Sequence, residues 1–130
     1  VQLSVNRNAR MEGHFKIGQE ISKLRDEGVL ILGSGNIVHN LGMVNWGMDS
    51  GYDWADEFDE YIKTSIMNRN FANVINYQKL GIAGKRAVPI ADHYAPLLYV
   101  LGAARAEDAV AVLNEARTLG SISMTCYLFN

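Results

Sequence analysis

The stretch Leu24-Arg25-Asp26-Glu27-Gly28-Val29-Leu30-Ile31-Leu32-Gly33-Ser34-Gly35-Asn36 decides how the rest of the chain is read. Gly28 punctuates it: a glycine after a charged, periodic segment is where a helix ends. Four consecutive apolar residues follow, bounded by glycines, and such a run predicts a short strand covered on both faces. Upstream, Met11 to Glu27 carries Ile17, Ile21 and Leu24 at helical spacing, which predicts a helix ending at Gly28. Further back, Val1-Gln2-Leu3-Ser4-Val5 has the composition of a buried strand. Strand, helix and strand in that order predict a parallel, right-handed crossover unit of an α/β fold.

Downstream, Ile37 to Tyr52 is rich in glycine and asparagine without a sustained period and predicts a functional loop. From Asp53 the spacing of Trp54, Phe58, Ile62 and Ile66 predicts a helix with acids in its first turns, where the helix dipole favours them. Asp56, Glu57, Asp59 and Glu60 are assigned to its solvated face. Phe71 to Tyr77 predicts a shorter helix, and Gly81 to Val88 a connector closed by Pro89. Asp92 is placed as N-cap of a helix from His93 to about Gly102, with Pro96 in the first turn where its missing N–H costs nothing. A helix from Ala106 to Arg117 follows. The terminal Ser121 to Leu128 alternates strictly and predicts a strand with one face buried.

Composition bounds the function. The 130 residues, 48 % apolar, suffice for one globular core. A net charge of −2 with scattered charges offers no basic stripe for nucleic acid and no polybasic patch for a membrane. The single cysteine, Cys126, excludes a disulfide framework, so the cytoplasm is the default compartment. A chain that opens on a strand without methionine is expected to be part of a longer polypeptide; the alternatives are a processed N-terminus and a complete protein in which His14, His39 and His93 form a self-contained site. A symmetric homodimer is the default assembly.

Three histidines are the candidate chemistry. His14 lies in the first turn of the first helix, His39 in the glycine-rich loop, and His93 at a helix start. In an open α/β sheet those places gather at the carboxyl edge of the strands, where ligands bind. The plain alternatives are a satisfied core histidine for His14, an idle loop residue for His39 and ordinary helix-start chemistry for His93. Their spacing gives no local metal motif. Gly33-x-Gly35 is a poor dinucleotide fingerprint, because position 38 is Val, and Gly84-Lys85 lacks the rest of a phosphate loop.

Two long motifs add a resemblance. Leu24 to Leu41, containing Gly33-Ser34-Gly35-Asn36-Ile37-Val38-His39-Asn40-Leu41, and Pro89-x-x-Asp92-His93-Tyr94-x-Pro96-Leu97-Leu98 are similar to the signatures of class III (LigB-type) extradiol ring-cleavage dioxygenases, in the branch with the 4,5-DOPA dioxygenases. His14-x-x-x-Gly18, Trp54-Ala55-x-Glu57-Phe58-Asp59 and Ser121-Ile122-Ser123-Met124 match more weakly. The resemblance implies a single α/β domain about twice this length, with a mixed central sheet flanked by helices, of which residues 1–130 are the C-terminal half. It implies that His93 is a metal ligand, that the other ligands lie in the missing N-terminal half, that His39 is the catalytic acid/base and that His14 sits near substrate. The implied reaction is metal-dependent opening of a catechol ring with O2, with Fe(II) as the expected metal and Zn(II) able to occupy the same donors. The family pattern has Arg after His-Asn-Leu, where this chain has Gly42. Alone, the chain is expected to be inactive, since one ligand cannot hold a metal in fixed geometry. The competing expectation is a non-catalytic binding or scaffold protein on the same fold.

Overall fold

The computed structural model describes residues 1–130. Five α-helices carry the core: α1 (Met11–Ile21), α2 (Asp53–Met67), α3 (Phe71–Ile75), α4 (Ile82–Ala87) and α5 (Ala95–Ala103). Four short strands follow: β1 (Val110–Leu113), β2 (Arg117–Thr118), β3 (Ile122–Ser123) and β4 (Cys126–Phe129). β1 pairs with β4 and β2 with β3, both antiparallel. Mixed helices and small sheets are the α/β class expected.

The first helix begins where its spacing predicts, but its regular part ends at Ile21 and continues as a 3-10 helix from Ser22 to Glu27. Gly28 closes it with φ of 79°, the left-handed conformation that favours glycine. The stripe that α1 buries is His14 and Gly18, while Ile17, Ile21 and Leu24 are half-buried. Gly18 matters for a reason of packing. A Cβ there would stand 2.3 Å from the Tyr99 carbonyl oxygen, and one on Gly102 would stand 2.1 Å from the Phe15 carbonyl oxygen. The backbones of α1 and α5 therefore touch, as small residues alone permit.

α2 buries Ala55, Phe58, Ile62 and Ile66 against Val74, Tyr77, Ala83, Ala87, Tyr94 and Leu98, in the main apolar cluster. Tyr94 is 1 % exposed, and its hydroxyl donates to the Val74 carbonyl at 2.8 Å, which ties the entry of α5 to α3. One acid assigned to the solvated face is not there: Asp59 is 2 % exposed. Its carboxylate accepts from Ser123 Oγ at 2.6 Å and Thr125 Oγ1 at 2.7 Å, with Arg117 Nη1 at 3.5 Å. A buried carboxylate supplied with donors in this way is stable where an unpaired one would not be.

The C-terminal segment buries one face, as its alternation predicts, and that face is the hydroxyl-bearing one. Ser121, Ser123 and Thr125 are buried while Met124 and Leu128 are exposed, with Ser123 and Thr125 turned inward to Asp59 and Ser121 to the Asn40 carbonyl. The run also breaks at Met124 and Thr125, giving β3 to one sheet and β4 to the other.

Three expected elements are corrected. Ala106 to Arg117 is a strand and turn, not a helix. Asp108 Oδ2 accepts the Arg105 N–H, and Val110-Ala111-Val112-Leu113 pairs with Cys126 to Phe129. Tertiary pairing outweighs helix propensity here. Gly81 to Val88 contains α4 instead of a bare connector. Val1–Val5 and Val29–Leu32 form no strand, and the parallel crossover unit is not closed within the chain. Val1, Leu3, Leu30 and Leu32 are exposed, and no neighbouring backbone pairs with either segment.

Asp108 also anchors the 3-10 segment to the chain after α5. Arg25 donates to it through Nη1 at 2.6 Å and Nη2 at 2.8 Å, a bidentate pair whose carboxylate is 5 % exposed. The Arg25 guanidinium holds the Asp108 carboxyl below the usual carboxylate range. A depressed folded-state pKa gives stability that is present above the unfolded value of 3.8 and is lost as pH falls through the lower folded value. Asp108→Asn is therefore expected to cost about 2 kcal/mol at pH 7 and to flatten the acid limb of stability below pH 3.8. Urea unfolding at a series of pH values checks both, and an unchanged acid limb would remove Asp108 from the account.

One buried polar atom is left over. The Tyr127 hydroxyl has no hydrogen-bond partner, and burial pushes its pKa up. Removing such a group removes a desolvation cost, so Tyr127→Phe is expected to leave stability unchanged or raise it by up to about 1 kcal/mol. A loss of that size in thermal unfolding would mean that the hydroxyl has a partner in the folded protein.

Candidate active site

The glycine-rich loop is irregular, as expected, with a 3-10 turn at Leu41–Met43, and it is fixed on both sides. The His39 N–H donates to the Ala87 carbonyl at the end of α4, and His39 bridges Ile122 of β3 in antiparallel fashion. Asn40 N–H donates to the Ser121 carbonyl, Ser121 Oγ returns a bond to the Asn40 carbonyl, and Asn40 Nδ2 donates to the Arg86 carbonyl. Val38 beneath it is fully buried. The backbone at His39 is thus held by one helix end and one strand.

His93 reaches the same place from the other motif. Asp92 is not the N-cap expected: its Oδ1 accepts the His93 N–H at 3.1 Å, but α5 begins only at Ala95, with Tyr94 in the N-cap place, no side chain capping it, and Pro96 in its first turn. The Asn36 N–H donates to the His93 carbonyl at 2.9 Å. A Cβ on Gly35 would lie 2.1 Å from that carbonyl oxygen, so the Gly33-Ser34-Gly35-Asn36 run uses Gly35 to let the two backbones touch. Asn36 also donates through Nδ2 to the Ser123 carbonyl, which joins the His93 turn to β3.

These anchors stack the imidazoles of His39 and His93 with ring centroids 3.7 Å apart and planes 15° from parallel. Both residues are half-buried, and neither ring has a hydrogen-bond partner within the chain. Burial lowers the pKa of His39, and the neighbouring His93 lowers it further, against a smaller opposing effect of Asp92. The uncharged, proton-accepting form of His39 is the one this surrounding favours.

His14 is not in that stack. It is 1 % exposed, and its Nδ1 lies 3.0 Å from the Tyr99 hydroxyl on α5. Burial lowers its pKa. That is the geometry of a satisfied core histidine. It also lines a small cavity of about 60 Å³ with Arg7 and Asp92, so its position is one residue removed from the His93 turn. Reading the sequence missed Tyr99 as its partner. The signal was weak, because residues 14 and 99 are linked only through the crossing of α1 and α5.

The donor set for a metal is partial. No group of three or more His, Cys, Asp or Glu side chains in the chain is placed to hold one. His93 has the chemistry of a ligand, a half-buried imidazole whose ring nitrogens are unengaged, and fits as one donor of a larger set. No helix is long and apolar enough to cross a membrane.

The family model described as the catalytic LigB subunit of aromatic ring-opening dioxygenase matches residues 1–129, and the chain belongs to that family. It is 37 % identical to a 4,5-DOPA dioxygenase extradiol of Escherichia coli (strain K12), over 95 % of this chain and 47 % of that protein. Identity to the 4,5-DOPA dioxygenase extradiol of Beta vulgaris is 32 %, over 98 % of this chain and 48 % of that one. The crystal structure of an uncharacterized protein of Escherichia coli K12 superposes with a TM-score of 0.88 at 36 % identity, covering 95 % of this chain and 52 % of that one. The chain spans about half the length of the curated relatives it matches.

Proposed function

We propose that residues 1–130 are the C-terminal part of a single catalytic domain that opens a catechol-type ring with O2 at the bond beside the two hydroxyls. The stacked pair His39 and His93 carries this reading. In it, His93 is one ligand of a resident metal, and the remaining ligands come from residues outside this chain. Bound there, Fe(II) supplies open coordination positions for a chelating catecholate and for O2, whereas Zn(II) fills the same donors without redox chemistry.

The chain's own residues do the rest. His39 takes a proton from a catechol hydroxyl and returns it to an oxygen of the product, the work of a general base and then a general acid, for which an imidazole titrating near neutrality is suited. Burial lowers its pKa and so favours the uncharged form that can accept a proton. Both atoms of O2 enter the ring-opened semialdehyde. His14, which is buried and lines a small cavity with Arg7 and Asp92 but not with His39 or His93, is given no step in this reading. The hydrogen bond to Tyr99 fixes its ring.

The test is O2 consumption together with the absorbance of a ring-opened semialdehyde, measured on the full-length polypeptide loaded with Fe(II) and given simple catechols. Turnover is expected there and none from the 130 residues alone. A full-length protein that binds the metal yet opens no catechol would favour a binding or scaffold role on the same fold.

A further inference from the structure

Two apolar segments, one unpaired and the other paired along one edge only, line a groove of about 420 Å³. The first is residues 28–33, including Leu30 and Leu32, and the second is Tyr127, Leu128 and Phe129 of β4; Val100 and Ala103 of α5 and Ala104 after it line the same groove. Leu30 and Leu32 are 80 % and 83 % exposed, although they belong to the most apolar run of the glycine-bounded motif.

The hydrogen-bonding capacity of both walls is open. The N–H groups from Leu30 to Gly35 and the carbonyls from Val29 to Gly35 make no hydrogen bond within the chain. On β4 the pairing pattern shows which groups are free. Ala109 and Asn130 exchange both of their backbone bonds, at 2.7 and 3.1 Å. In an antiparallel ladder such pairs recur at every second residue, so Ala111 with Leu128 and Leu113 with Cys126 are the bonded pairs of β1 and β4. The intervening Tyr127 and Phe129 turn their N–H and C=O groups away from β1, and both residues line the groove.

We infer that this groove is a strand slot, filled by one extended, predominantly apolar segment from the part of the domain that the relatives have and this chain does not span. The inference rests on the reading of residues 1–130 as part of a longer domain. Inserted there, the segment pairs with Val29–Leu32 on one side and with Tyr127 and Phe129 on the other. The result is a continuous sheet running from Val29–Leu32 through the inserted strand and β4 to β1. A strand covered by α5 on one face and bonded on both edges has to be rich in Val, Ile and Leu. The exposure of Leu30, Leu32 and Leu128 then has a cause, since an open apolar edge is a template for one more strand.

Amide hydrogen exchange, read residue by residue, decides it. In the full-length polypeptide the amides within residues 30–32 and those of Tyr127 and Phe129 are expected to exchange at least about a hundredfold more slowly than in the 130-residue chain, as slowly as the β1–β4 ladder. Equally fast exchange in both would overturn the slot, as would protection in the 130-residue chain that rises with its concentration, because the occupant would then be a second copy. Catechol turnover is not read in this measurement. A protected slot with no turnover would strike the catalytic reading alone, and turnover with an unprotected slot would strike the slot alone.

Discussion

On the proposed reading, His39→Ala is expected to abolish ring opening by the full-length polypeptide while leaving metal binding in place, and His93→Ala is expected to lose the metal. The separation follows from what holds each ring. Both imidazoles sit at one spot, 3.7 Å between centroids, yet they arrive on different supports: His39 between the end of α4 and β3, His93 on the turn before α5. Truncating His39 removes a proton carrier without moving the Asp92–His93 turn, because the Ala87 and Asn36 contacts are made by backbone groups that alanine retains. The loss of a positioned acid/base group costs about a hundred- to ten-thousandfold in rate. Truncating His93 removes a donor from a set that has none to spare within this chain. Metal content by emission spectrometry beside O2 uptake distinguishes the two variants. Normal turnover in His39→Ala would end its acid/base assignment, and full metal content in His93→Ala would end the ligand assignment.

The sequence carried the site better than the sheet. Gly33 to His39 and Asp92 to Tyr94 are compact motifs, and they meet in a backbone contact at Gly35 and in two stacked rings, although Asp92 bonds the His93 N–H without capping α5. What it could not carry was pairing between distant segments. Val29–Leu32 has the composition of a buried strand and no partner among the 130 residues, so composition alone overstated its burial. Val110–Leu113 becomes a strand because Cys126–Phe129 lies beside it, a fact absent from either segment taken singly. Asp59 was misread for a related reason: its donors Ser123 and Thr125 stand more than sixty residues away in sequence. Its helix shows only an acid among acids. Gly18 and Gly102, in turn, take their role from the crossing of α1 and α5, which neither helix shows by itself.

That crossing yields the largest expected effect on stability. Replacing a helix-interior glycine by alanine normally stabilises a helix by about 1 kcal/mol, so propensity alone favours Gly102→Ala. The packing reverses the sign. The added methyl would meet the Phe15 carbonyl oxygen at 2.1 Å, the Gln19 nitrogen at 2.9 Å and the Gly18 Cα at 2.9 Å, all of them backbone atoms that no rotamer change can move. The helices must part, and over-packing of that kind costs about 3 kcal/mol or more when the neighbour cannot yield. Gly18→Ala meets the same crossing from the other side, so the double variant is expected to cost less than the sum of the two, one separation serving both methyls. Gly13 is the internal control on the same helix: its nearest neighbour would be the Ala9 Cβ at an ordinary 3.5 Å, and Gly13→Ala is expected to be neutral or stabilising. Urea unfolding of the four proteins gives the comparison. Parting α1 from α5 also pulls His14 from Tyr99, so Gly102→Ala is expected to break the one hydrogen bond that fixes the His14 ring. A Gly102→Ala protein as stable as Gly13→Ala would show that the two backbones are not in contact, and the account of how α1 is held against α5 would fail with it.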